Sequence, residues 1–518
     1  MVEHLAAQLR RLLLGSERET AREWHAAAEQ ARDADSHARR EAFLRDMCCQ
    51  PADDRVRLGR AQTRDGNHQW CGMPLETLCA MHLGISGATG SGKSYLIAAL
   101  LFQLITRRIP LIVVDMKSEL ADLFLQVIVP AVIARGREDL LDRVRVVRPF
   151  ESGRVPLLRL TEPEPRVSQQ VQSMNIAQSL SESVGHDLGP RMLRALLPTA
   201  GLAVERNLPL PVLSEWLRSP ETFARVAASS ADPNIRTYAL HELPRESRTS
   251  LDSLRARLDL LFHLPEIREA LSAPRCLSCD ECLESGVTIL DFGSPPGGAE
   301  VAMKFIAGPV AGRFGRAILS REMRPDTPPA IVCFEEFQQL LGSHQIDMFK
   351  RLIALCRFKR VSLWFSNQQP AQIAEADRTL LRMLRTNLGA ECIFRSSVED
   401  ARTLTEGLST HRVDESLPQA RGRMVEEIAS LPRRSFFFWL RDSPHGPQRL
   451  TSPRLDAAAL VRSAEALSTE QRERIRLGSA SVVRVVPPDL DTPDSVAEPD
   501  PRVAPLRLDK RRRTPRLG

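Results

Sequence analysis

The chain has 518 residues and a mass of 57.9 kDa, enough for two or three domains around a sizeable buried core. Hydrophobic residues make up 43%, charged residues 26% and aromatics 5%, which excludes a mostly disordered or collagen-like chain. The net charge of +6, with an isoelectric point near 8.9, permits nucleic-acid binding without demonstrating it.

Residues 1–50 are rich in helix formers, with Leu5, Leu9 and Leu12 at helical spacing, and predict a helical N-terminal arm. Leu12-Leu13-Leu14 is too short for a secretory core and is flanked by arginines. No stretch approaches 18 uninterrupted apolar residues, so the reading expects no membrane insertion and a cytoplasmic protein. Ten cysteines without an export signal read as reduced thiols.

Next come two alternating runs, Val56 to Gly59 and Gln69 to Gly72, on either side of Asp65-Gly66, a hairpin signal. From there the pattern is α/β. The expected strands are His82 to Ser86, Leu111 to Asp115, Val144 to Val147, Val287 to Asp291, Ala330 to Glu335, Ser362 to Ser366 and Glu391 to Phe394. Helical stretches separate most of them, which argues for a mostly parallel sheet.

Residues 51–165 therefore read as the first part of an α/β core. Residues 166–275 read as an all-helical insertion, marked by the stripe Leu251, Leu254, Leu258 and Leu261. Residues 276–450 read as the second part of the core, closing with the apolar strand Phe436 to Leu440. Residues 451–518 form a tail, Pro/Asp/Arg-rich and expected to be disordered, whose basic end Lys510 to Arg516 would attract phosphates or an acidic partner.

The strongest motif is Gly87-Ala88-Thr89-Gly90-Ser91-Gly92-Lys93-Ser94, a full match to G-x-x-x-x-G-K-[ST] between a strand and a helix. Glycines let backbone N–H groups wrap phosphates at a helix N-terminus. In this motif Lys93 reaches the β- and γ-phosphates of a nucleoside triphosphate and the Ser94 hydroxyl ligates Mg²⁺. The candidate nucleotide-binding set runs from Gly87 to Tyr95.

A phosphate loop needs an acidic partner on a neighbouring strand. Ala330 to Phe334 followed by Glu335 and Glu336 supplies it: Glu335 for the Mg²⁺ shell, Glu336 to polarise the attacking water. Aspartate is usual at the first position, and the extra methylene of Glu335 moves the carboxylate by about 1.5 Å. A strand ending in Asn367-Gln368-Gln369 offers amides that can sense a γ-phosphate or orient water. Asp115 and Lys117, at another strand tip, read equally as structural or catalytic. Cys276, Cys279 and Cys282 have a spacing that can hold Zn²⁺, but no fourth ligand is evident beyond His263. A reduced loop is the favoured reading there.

Taken in order, these motifs resemble the HerA/FtsK superfamily of P-loop ATPases, and within it the TraG-like coupling proteins of conjugation and type IV secretion. The carrying residues are the phosphate loop, Asp115-Met-Lys117-Ser-Glu, Gly286 to Asp291, Phe334-Glu335-Glu336-Phe337 and Arg357 to Pro370. The resemblance spans roughly residues 56–440. It implies a RecA-like core that hydrolyses ATP with Mg²⁺, a homohexameric ring, and DNA, duplex favoured, in the central channel.

It also implies an arginine supplied in trans from the helix before the glutamine-tipped strand, which falls on Arg357, with Arg351, Arg360, Arg385 and Arg395 as alternatives. Gln368 falls on the sensor glutamine. Coupling proteins carry N-terminal transmembrane helices, and this sequence shows none. The expectation is therefore a relative working in mobile-element transfer or defence, with a nuclease or other effector as partner. Two rival readings stay open: an ATP-dependent switch that assembles an effector, and a secretion ATPase that moves protein.

Overall fold

The computed structural model describes residues 34, 36–50, 54–150, 158–183, 188–273, 276–293, 300–406, 416–441, 443–453, 460, 462 and 465–477. Of the expected N-terminal arm, residues 34 and 36–47 are helical and 48–50 are not, while residues 1–33 and 35 lie outside the described residues, as does the basic end Lys510 to Arg516.

Eleven described strands form one sheet: β1 (Arg55–Gln62), β2 (His68–Pro74), β3 (His82–Ser86), β4 (Leu111–Asp115), β5 (Val144–Val147), β6 (Val287–Asp291), β7 (Ala330–Glu335), β8 (Val361–Asn367), β9 (Leu388–Phe394), β10 (Ser435–Leu440) and β11 (Gln448–Thr451). Their order is β2-β1-β11-β10-β9-β3-β8-β7-β4-β6-β5. Pairing is parallel from β9 through β5 and antiparallel among β9, β10, β11, β1 and β2. This is an α/β P-loop fold with a mostly parallel sheet, extended at one side by the predicted hairpin. β11 escaped the sequence reading because its four residues bury only Leu450 and carry no alternation to detect.

Because successive strand side chains point to opposite faces, β4 splits its residues between two cores. Ile112 and Val114 join one, Leu111 and Val113 the other. β7 does the same, with Val332 and Phe334 against Ile331 and Cys333. Both faces are covered, which is why these strands read as continuous apolar runs. On one side lies the helix Lys93–Thr106. On the other lie the helices of the segment between β5 and β6, together with Glu300–Ser320 and Ser343–Leu355. The stripe Leu251, Leu254, Leu258 and Leu261 is buried there, while the off-stripe Leu260 stands exposed.

Between β5 and β6 the only ladder contact among the described residues is an isolated antiparallel bridge of Leu158 with Cys276, which ties the entrance of the helical segment to its exit. A third, smaller core gathers Ile393, Phe437 and Trp439 under the helices Val398–Thr405 and Leu417–Ala429. No described helix is long and apolar enough to cross a membrane.

Candidate functional site

In a parallel sheet the loops at the carboxyl ends of the strands gather side chains from distant parts of the chain. Here β3 runs into residues 87–92, which wrap tightly before the helix Lys93–Thr106 begins. Gly92, at φ 118°, occupies backbone space barred to other residues. A Cβ on it would also meet the backbone of Arg434 at 3.1 Å. The loop is tied to its neighbours by backbone bonds: Gly87 N–H to Asn367 O at 3.3 Å, Ala88 N–H to Arg395 O at 2.8 Å, and Arg434 N–H to Ser91 O at 2.8 Å.

Lys93 is buried and its Nζ donates to Gly87 O at 2.7 Å and Ala88 O at 3.4 Å, which closes the loop on itself. Burial lowers its pKa, with Glu335 and Glu336 opposing that shift and Lys117 adding to it. Ser94 Oγ donates to Glu335 Oε1 at 2.9 Å. Glu335 is the last residue of β7, and burial pushes its carboxyl up to about 7. Its other oxygen, Oε2, is buried and makes no hydrogen bond of ordinary geometry among the described residues, although the nearby Ser366 hydroxyl offsets part of the burial shift.

Glu336 follows in a left-handed conformation at φ 56° and ψ 47°, which costs a non-glycine residue about 1–2 kcal/mol. Packing holds it there. Phe337 on one side of it and Phe334 on the other close on Phe349 and Phe365, with ring centroids 4.7–6.0 Å apart. Edge-to-face aromatic pairs of this kind add about 0.5–1.5 kcal/mol each beyond burial.

The Glu336 carboxylate, nearly inaccessible, meets three donors. Lys117 Nζ lies 2.9 Å and Gln368 Nε2 2.6 Å from Oε1, and Gln338 Nε2 lies 2.6 Å from Oε2. Thr89 Oγ1 donates in turn to Gln368 Oε1 at 2.9 Å. A continuous chain of bonds thus runs from the phosphate loop through Gln368 to Glu336. A group bound on the loop would face Lys93 and Ser94 on one side and this carboxylate on the other.

The structure therefore brings together Gly87 to Ser94, Glu335, Glu336 and Gln368. Tyr95 lies beside them, its ring covered by the Arg434 guanidinium at 4.6 Å. Arg357 is elsewhere: it precedes β8 at the opposite end of the sheet, exposed, with its guanidinium donating to Asn387 O. β8 has seven residues, about 20 Å at roughly 3.3 Å each, so Arg357 cannot serve its own phosphate loop. Arg395 is exposed beside the loop, and Arg385 pairs with Glu406 at 3.6 Å.

Asp115 resolves toward structure: its carboxylate accepts Lys117 N–H and Ala121 N–H at 2.8 Å each. Among the described residues no group of three potential ligands is placed to hold a metal. Burial pushes the Cys276 and Cys282 thiols up to about 11, which disfavours the thiolates that zinc needs. Sequence reasoning missed Gln338 and Arg434. Gln338 follows Glu336 by two residues and could have been suspected, whereas Arg434 reaches the loop through its backbone and leaves no motif.

Residues 56–197 match the family model of the HerA helicase central domain. No curated protein matches the sequence. Among solved structures, VirB4 of Thermoanaerobacter pseudethanolicus shares the fold with a TM-score of 0.54 at 12% identity, over 80% of this chain and 99% of that one. The bacterial conjugative coupling protein TrwB gives 0.51 at 14%, over 74% and 86%. TrwB in complex with ADP and Mg²⁺ gives 0.50 at 14%, over 75% and 90%. The resemblance carried by the motifs holds at the level of the fold.

Proposed function

We propose that this chain, with residues 56–197 like the HerA central domain and the fold of conjugation ATPases, is an ATP-hydrolysing motor that moves or processes DNA. It would work as a homohexameric ring with nucleotide at the subunit interfaces and duplex DNA in the channel. The observation that carries the reading is the bonded path from Thr89 through Gln368 to Glu336, facing Lys93 and Ser94.

A phosphate loop needs a carboxylate that accepts a proton from water, and the contact of Glu336 with Gln368 supports giving it that role. Hydrolysis forms a bond from the water oxygen to the γ-phosphorus, breaks the bond to the bridging oxygen, and leaves the water's proton on Glu336. Gln368, bonded to both loop and carboxylate, senses whether a γ-phosphate is present and orients the water. Lys93, drawn from Gly87 O, neutralises the β- and γ-phosphates.

Mg²⁺ fits Ser94 and Glu335, since Glu335 Oε2 is buried and makes no hydrogen bond of ordinary geometry, and when bound it would neutralise phosphate charge. A glutamate in place of aspartate still reaches Ser94 at 2.9 Å. Arg357 acts in trans, which its distance from its own loop requires of any catalytic role. That makes turnover depend on the neighbouring subunit, as a ring motor needs.

The test is steady-state ATP hydrolysis by the full chain without DNA, with single strands and with duplex, using Lys93→Ala as control. Several-fold stimulation by duplex, absent in the control, is expected. Hydrolysis indifferent to DNA would replace the motor with the effector-assembling switch.

A further inference from the structure

The turn after β4 is built to hold one lysine against the candidate base. Asp115 binds the N–H groups of Lys117 and Ala121. Ser118, at φ 66°, donates to Asp291 Oδ1 at 2.8 Å. Gly293 lies so close that a Cβ there would sit 2.3–2.6 Å from Ser118 and the Lys117 carbonyl carbon. None of these anchors uses the Lys117 side chain. They fix its backbone and leave the ammonium to reach across to β7, where it pairs with Glu336 at 2.9 Å.

The two partners are unequal. The Glu336 side chain is 2% exposed and that of Lys117 is 34% exposed. Two of the three contacts on the carboxylate come from the neutral amides of Gln368 and Gln338, which have little electrostatic reason to leave when an anion arrives. The third is a full charge on a flexible stem, with two further N–H donors. The terminal group of a nucleoside triphosphate, the most anionic part of the ligand, would bind on the loop that Gln368 touches through Thr89. It competes for the same ammonium.

We propose that Lys117 changes partners. In the nucleotide-free chain it holds Glu336. When a nucleoside triphosphate binds, it moves to the terminal phosphate and leaves Glu336 to the two amides and the attacking water. ADP lacks that phosphate and leaves the pair closed. The inference rests on the ATPase reading above and adds to it the element that tells triphosphate from diphosphate.

The experiment is a binding cycle on the full chain with Mg²⁺, reading affinity for ADP and for adenylyl imidodiphosphate in wild type, Lys117→Met, Glu336→Gln and the double variant. Lys117→Met should weaken the triphosphate analogue about tenfold and leave ADP within about twofold. Glu336→Gln should tighten the analogue about tenfold, because Lys117 no longer leaves a carboxylate, and that gain should vanish in the Lys117→Met background. Lys117→Arg should retain most of the discrimination.

Equal effects on both nucleotides, or additive effects in the double variant, overturn the proposal and make the pair a fixed structural contact. If Lys117→Met does not fold, the selective tightening by Glu336→Gln and its retention with Lys117→Arg still decide. Hydrolysis by Glu336→Gln at the wild-type rate would remove the base assignment while leaving the affinity pattern to be read separately.

Discussion

At the carboxyl ends of β3, β7 and β8, polar side chains other than Lys93 mostly meet side chains from distant parts of the chain, whereas at the amino ends of the same strands they mostly meet backbone. Ser94 reaches Glu335 and Thr89 reaches Gln368 over sequence separations of 241 and 279 residues. At the other end Arg357 donates to Asn387 O, Ser362 to Met81 O, and Arg321 to Lys359 O. His82 accepts Leu363 N–H on Nδ1 at 3.1 Å, which leaves its proton on Nε2, facing Cys356 Sγ at 3.4 Å. Side chains that hold one another can exchange partners when a ligand arrives. Side chains that hold backbone fix the fold. The difference predicts that substitutions at the first end change turnover and those at the second change stability, with Arg357 the exception under the trans role proposed for it.

The largest expected effect is on turnover at the carboxyl end. Lys93→Ala should lower kcat by about a thousandfold, as loss of one preorganised charge contact does, while the melting temperature stays within a few degrees of wild type. A variant that instead unfolds would blur the contrast between the two ends.

Arg357→Ala sharpens the contrast from the other side. Its kcat should fall by about a hundredfold or more with little change in stability, since the side chain is exposed. Doping the variant into wild-type protein should lower activity more than dilution explains. Unchanged turnover would return Arg357 to the structural end of the sheet.

Gly293→Ala should destabilise the fold by about 1–3 kcal/mol, because the added methyl overlaps Ser118 and the Lys117 carbonyl carbon. Denaturant unfolding measures this.

The smallest effects are in pH dependence, and the two ends should differ in sign. Burial, aided by the nearby Arg357 charge, lowers the His82 pKa to about 4. The unfolded chain then binds more protons between about pH 6.5 and 4, so this residue's contribution is lost as pH falls through that window. Burial raises the Asp291 carboxyl to about 6. There the folded chain binds more protons between about pH 6 and 4, so stability is gained as pH falls. His82→Gln should flatten acid destabilisation and Asp291→Asn should steepen it, each by on the order of 1–2 kcal/mol. Parallel curves for the two variants would contradict the assignment.

Much of this was legible in the sequence for physical reasons. Strands buried on both faces are apolar along most of their length, so β4 and β7 appear as uninterrupted runs and β3, β5, β6 and β8 as runs broken by few polar residues. The phosphate loop constrains backbone conformation at fixed spacings, so Gly87 to Ser94 announce themselves. Glu335, Glu336 and Gln368 could be found because each sits at the end of such a run. What stayed hidden depends on distances between segments. The contact of Lys117 with Glu336 depends on β4 lying beside β7, and the sequence does not state strand order. Arg434 touches the loop through its N–H, which every residue but proline has. β11 is four residues with a single buried side chain, too short for a period to emerge.

The central claim is that Glu336 takes the proton from water on a phosphate loop that Lys93 and Ser94 complete. Its most direct test is single-turnover hydrolysis of radiolabelled ATP by Glu336→Gln beside the wild type, with bound nucleotide measured in the same samples. The account predicts full ATP binding and hydrolysis slowed by at least a hundredfold. Wild-type hydrolysis by that variant would contradict it.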